Sequence, residues 1–148
     1  MTTKTEPSLK ELDLNAVAEE FDMISDGTYL FYNRKTGEFD FYTDLMEEEG
    51  EVDPAKFKGK AWVATPSQYD IHEYRIMANF AEIQTDSRKN ELLCVALEGS
   101  GAFRRFKDTL HRVDLTEEWY AFKHKAYIEI ARKWCDDNNI KYSEVEVK

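Results

Sequence analysis

Between about residues 64 and 70 the chain changes its apolar rhythm, and that change limits what it can fold into. Up to about residue 64 the clearest pattern has the period of two expected of strands. From about residue 70 onward apolar residues recur every three to four positions, as on helices. Thr28-Tyr29-Leu30-Phe31-Tyr32-Asn33 is a β-type aromatic run, and Glu38-Phe39-Asp40-Phe41-Tyr42 alternates cleanly after it. Arg34-Lys35-Thr36-Gly37 between them makes a hairpin, with Gly37 supplying the positive φ of a short loop. Phe39 and Phe41 are expected to face the core with Asp40 outward. Strand 28–32 is apolar on both faces, which points to a central position.

Strands gathered at one end of a chain and helices at the other define the α+β class. The expected architecture is a three- or four-stranded antiparallel sheet packed against a cluster of about four to five helices. A third strand is expected at Lys60-Ala61-Trp62-Val63-Ala64, stopped by Pro66. Leu12, Leu14, Val17, Ala18 and Phe21 predict an amphipathic helix over 9–21, ahead of the sheet. Asp70-Ile71-His72-Glu73 and Asp114-Leu115-Thr116-Glu117 have capping-box spacing and predict helices opening near 70 and 115, the second running to about 136. Helices over 87–98 and 102–112 lie between them, joined through Gly99-Ser100-Gly101. A last strand is expected within 141–147. Residues 9–148 read as a single domain, and the polar start, 1–8, as a disordered tail.

Charge is uneven. Residues 1–56 carry 5 of the 20 Lys and Arg but 15 of the 30 Asp and Glu, so the net charge of -10 belongs to the first third. That disfavours adhesion of this part to nucleic acid or anionic lipid, and leaves the remainder able to present a local basic face. The run Glu47-Glu48-Glu49-Gly50-Glu51 reads as a solvated loop without the ligand spacing of a calcium site. No stretch has the length of apolar residues that a membrane span needs, and the first residues lack a signal-peptide core; a cytoplasmic protein without membrane contact is expected. Cys94 and Cys135 stand alone, without metal spacing, and are expected to be reduced.

Three strings stand out together: Gly99-Ser100-Gly101-Ala102-Phe103-Arg104-Arg105-Phe106-Lys107-Asp108, Glu118-Trp119-Tyr120-Ala121-Phe122 and Glu73-Tyr74-Arg75-Ile76-Met77. With the hairpin Thr36-Gly37-Glu38, they resemble an uncharacterised family of short bacterial cytosolic proteins, over about Leu12 to Ile140. The resemblance implies a bacterial cytosolic protein. It implies no activity, cofactor or site residue.

The chemistry that the residues suggest centres on 102–112, where Phe103, Phe106, Leu110 and Val113 share one face and Arg104, Lys107 and His111 a flank. Lys123, His124 and Lys125 extend this basic character on the next helix. The expected function is a non-catalytic binding or regulatory module whose basic helix meets an acidic protein partner. Ser100, Gly101, Arg104, Arg105, Lys107, His111, Trp119 and Tyr120 are its candidate contacts. Two alternatives use the same residues. One is nucleic-acid binding, since two helices joined by a Gly-rich turn over 87–112 have the outline of a helix-turn-helix. The other is a small enzyme acting on an anionic substrate. For catalysis the inventory is thin: His72, His111 and His124 fall on separate helices, and no nucleophile or metal motif is present. No residue pattern calls for a cofactor.

Overall fold

The computed structural model describes residues 11–143. In chain order they form β1 (Leu12–Asp13), α1 (Leu14–Asp22), β2 (Thr28–Asn33), β3 (Glu38–Thr43), α2 (Asp44–Glu48), a 3-10 helix (Pro54–Lys58), β4 (Trp62–Ala64), α3 (Gln68–Ile71), α4 (Glu73–Glu82), α5 (Ser87–Ala96), α6 (Ala102–Arg112), α7 (Thr116–Asp137) and β5 (Tyr142–Ser143). The α+β class is as expected. The larger sheet is antiparallel in the order β3-β2-β4, while β1 and β5 form a separate parallel pair. The expected tail at 1–8 and the last strand beyond residue 143 lie outside the described residues. Among the described residues no helix is long and apolar enough to cross a membrane. The chain divides into two compact units, Met1–Ile71 with Tyr127–Lys148, and His72–Ala126.

In the first unit β2 is the central strand, as its two apolar faces required. Its register sets Leu30 opposite Phe41 and Tyr32 opposite both Phe39 and Val63. Leu30 and Tyr32 are buried on one face, where Tyr32 and Phe39 meet the indole of Trp134 at centroid separations of 5.8 and 6.2 Å. Phe21 of α1 meets the same indole edge-on at 5.4 Å. The Trp134 Nε1–H donates to the carbonyl of Ala64 at 2.9 Å, so one side chain of α7 touches α1 and all three strands.

The other sheet face is also covered. Phe57 of the 3-10 helix stacks on Phe31 at 4.5 Å and on Tyr42 at 5.6 Å, and meets Trp62 edge-on. Asp40 is therefore not simply outward. It is half-buried, pairs with Lys56 at 2.9 Å and accepts the amide of its neighbour Phe41 at 2.8 Å. Phe41 remains 48% exposed, so the expected core role falls to Phe39 alone. The acidic stretch is not all loop: Thr43 accepts the Met46 amide as an N-cap, opening α2 through Glu48, and Asp53 caps the 3-10 helix that carries Phe57.

Helix boundaries moved where side-chain capping did. α1 starts at Leu14 rather than near residue 9, because Asp13 accepts the Asn15 amide at 2.9 Å. The capping box expected at Asp70 lies one turn earlier: Ser67 Oγ accepts the Asp70 amide at 3.1 Å, and the Asp70 carboxylate accepts the Ser67 amide at 3.0 Å. The helix so opened stops at His72, whose φ of 59° is left-handed, and α4 begins after it. Asp114 likewise does not cap α7. With φ of 62° it ends α6, as the Leu115 amide returns to the Leu110 carbonyl at 2.9 Å and the Asp114 amide to His111 at 3.4 Å, a Schellman closure. Asn139 repeats the device after α7, its neighbour Ile140 bonding back to Cys135 at 2.8 Å.

Cys135 is fully buried on α7 whereas Cys94 is exposed on α5. Burial, with a smaller push from Asp136, raises the Cys135 thiol to about 11. Its native state keeps a proton that the unfolded chain releases at lower pH. The associated stability is whole below about pH 9 and is lost as pH rises through about 11. Two outcomes are expected. A thiol reagent titrates Cys94 alone in the native protein and Cys135 only after unfolding. The urea midpoint falls more steeply between pH 9 and 11 in the wild type than in Cys135→Ala.

Candidate functional site

The second unit builds the turn that joins α5 to α6, and this turn consumes much of the chemistry expected of it. An α-helix leaves its last carbonyls without intrahelical donors. Here the carbonyls of Ala96, Leu97, Glu98 and Ser100 each receive a side-chain donor. The Arg105 guanidinium supplies three: Nε to Ala96 at 3.1 Å, Nη1 to Ser100 at 2.5 Å, and Nη2 to Glu98. The Tyr74 hydroxyl donates to Leu97 at 2.8 Å. A planar cation with a fixed fork suits this position, because it satisfies several converging carbonyls and complements the helix C-terminus. Gly101, at φ of 78°, has its own part: a Cβ there would stand 3.1 Å from Arg105 Nη1. Arg105 and Gly101 are thus structural, and Ser100, though exposed, gives its carbonyl to the same clamp.

α6 spans Ala102–Arg112 as the sequence indicated. It buries Ala102, Phe106, Thr109 and Leu110 and turns Phe103, Arg104, Lys107 and His111 outward. Phe103 was expected on the core face but is 47% exposed. Placing Phe106 and Leu110 in the core puts Phe103 at the edge of the buried stripe, beside the cations. Arg112 donates to the Thr109 hydroxyl at 3.3 Å. Among the described residues, the side chains of Arg104, Lys107 and His111 make no hydrogen bond or ion pair.

Trp119 is not a ligand platform. It is 1% exposed, at the centre of a cluster with Phe106 at 5.1 Å, Phe80 at 5.4 Å and Phe122 at 6.5 Å. Its indole N–H is buried without an acceptor. Tyr120, one residue on, is 58% exposed. Lys123 is also withdrawn from the basic surface: it pairs with Glu73 at 3.4 Å, and both side chains are nearly nine-tenths buried. The expected contacts therefore separate into two groups. Arg104, Lys107, His111 and Tyr120 stand on the surface outside the clamp, while Ser100, Gly101 and Arg105, also exposed, form the clamp and Trp119 is buried. Helical phase sets Arg104 on the flank with Lys107 and His111 and Arg105 off it, but the clamp made by Arg105 follows only from the positions of the Ala96, Glu98 and Ser100 carbonyls.

The histidines stand apart in the chain, His72 between α3 and α4, His111 on α6 and His124 on α7. In the first unit a cleft of about 380 Å³ has Trp134 in its wall together with Asp70, Lys133 and Asp137. Its charged groups are committed to partners in the chain, Lys133 to Asp137 at 3.2 Å and Asp70 to Ser67. Compared with known proteins, the chain matches no family model, no curated protein and no solved structure.

The clamp and the buried pair make different stability predictions from the exposed cations. Arg105→Ala is expected to cost about 2 kcal/mol, and Arg105→Lys to recover little of it, since an ammonium cannot span three carbonyls. Arg104→Ala stays within about 0.5 kcal/mol of wild type. Lys123→Ala, which removes the cation paired with the nearly buried Glu73 carboxylate, is expected to cost about 3 kcal/mol. Urea unfolding of the full chain measures all four.

Proposed function

We propose that the chain is a non-catalytic binding module whose contact surface is the outer face of α6, and that its partner is a protein with an acidic surface. The observation that carries this reading is the grouping of a half-exposed Phe103 with Arg104, Lys107 and His111, three groups without internal partners. An aromatic anchor ringed by cations is the composition of an interface hot spot, in which apolar burial supplies affinity and the charges set orientation and encounter rate. The helix that presents it is fixed from behind by Phe106 and Leu110 and from its start by the Arg105 clamp, so the surface is preorganised.

The test is affinity recovery from native cells, with and without nuclease, of the wild type, of Phe103→Ser and of Arg104→Glu/Lys107→Glu. A protein partner that survives nuclease and is lost with either variant supports the reading. Nucleic acid released by nuclease and lost only with the charge-reversal variant replaces it with nucleic-acid binding, whose affinity then falls steeply with salt. A partner retained equally by all three places the interface elsewhere.

A further inference from the structure

The first unit carries a second surface of opposite charge. Between the end of α1 and the sheet lies an apolar groove of about 200 Å³, lined by Glu20, Met23, Ile24, Thr28, Leu30 and Phe41. Ile24 and Leu30 are buried and form its floor. Met23 and Phe41 form its walls at 79% and 48% exposure, an unusual share of water-facing surface for a methionine and a phenylalanine side by side. The volume suits one large apolar side chain, since a cavity of about 150 Å³ holds a benzene ring. A methionine wall adapts to the shape of what enters, which is why such residues recur on peptide-binding grooves.

Charge identifies the occupant. Residues 11–33, which supply α1 and β2, contain Glu11, Asp13, Glu19, Glu20, Asp22 and Asp26 and neither lysine nor arginine. Glu20 lies in the groove itself, and Glu19, Asp22 and Asp26 are on the segment that forms its α1 side. The mode of binding is indicated by the neighbouring sheet edge. β3 is an edge strand, but the Phe41 amide is already donated to the Asp40 carboxylate, so an added strand would find that donor occupied. With that donor occupied, strand addition is disfavoured, and a short apolar groove beside an acidic helix suits an amphipathic helix, whose apolar stripe and basic flank complement it.

We infer that this groove docks an amphipathic helical segment of a partner protein, one that inserts a single large apolar anchor between Met23 and Phe41 and sets lysines or arginines against the carboxylates of Glu20 and its neighbours. This goes beyond the α6 surface: it lies in the other unit and selects a partner of opposite charge.

The probe is a synthetic helical peptide of leucine and lysine, with leucine at i, i+3, i+4 and i+7. Its binding to the full chain is measured by calorimetry at moderate salt. The expected result is saturable binding at one site, weakened about tenfold or more in Phe41→Ser and in Glu20→Lys, and unchanged in Arg104→Glu/Lys107→Glu. Both groove substitutions are at a partly exposed position, and circular dichroism is the check that each variant remains folded. The same peptide with glutamate in place of lysine should not bind. Equal binding to wild type and Phe41→Ser overturns the inference by showing adhesion to the acidic surface in general; absence of binding to the wild type overturns it outright. A concentration-dependent dimer of the chain alone, abolished by Phe41→Ser, overturns it in favour of a second copy as occupant. The α6 variant separates a failure here from a failure of the proposed function.

Discussion

The first unit depends on where one indole is placed. Trp134 joins α1, the central strand, one edge strand and, through its N–H, the other edge strand, so α1 and the larger sheet are located relative to α7 by a single side chain. Its apolar body supplies the burial, and its polar tip is satisfied by the Ala64 carbonyl, so the indole has one orientation rather than several. The end of the same helix is fixed separately. Arg34 of the hairpin loop donates to the Asn138 carbonyl at 2.8 Å, and Asn139 turns left-handed to let Ile140 into the core.

The second unit is organised around another tryptophan of α7, with a different outcome for its nitrogen. Trp119 gathers Phe80 and Phe106, but its N–H meets no acceptor among the described residues. Three sequence strings, at 73–77, 99–108 and 118–122, meet here. Tyr74 from one and Arg105 from another close the same turn, Trp119 from the third packs on Phe106, and Glu73 pairs with Lys123. Much of these strings goes into how this unit packs, while Phe103, Arg104, Lys107 and Tyr120 are among their members left exposed.

Much of the fold was legible because it rests on local periodicity. The hairpin, the central place of β2, the third strand and both ends of α6 follow from apolar spacing and from the left-handed conformation that Gly37 permits. The errors share one cause, which is that the outcome depends on an acceptor or a covering group distant in sequence. Capping-box spacing occurs at both Ser67 and Asp70, and the left-handed His72 decides between them. Asp40 has the pattern of an outward residue, but Phe57, 17 positions on, covers that face. In the candidate site, Arg104 and Arg105 are equivalent as letters and unlike in role, and Trp119 shows the spacing of a core residue while Tyr120 beside it does not.

The Asp40 carboxylate has a consequence for how this protein behaves at high concentration. An edge strand with open amides invites the same strand of another molecule, the first step toward fibres. In β3 the carboxylate takes the Phe41 amide and places a negative charge at the edge, which discourages a second strand from docking there. Its hydrogen bond with Lys56 and the Phe41 amide hold Asp40 below the usual carboxylate range, partly opposed by desolvation. Asp40 therefore stays ionised further into acid than an ordinary surface aspartate, and so keeps both the Phe41 amide and the Lys56 ammonium of the 3-10 helix.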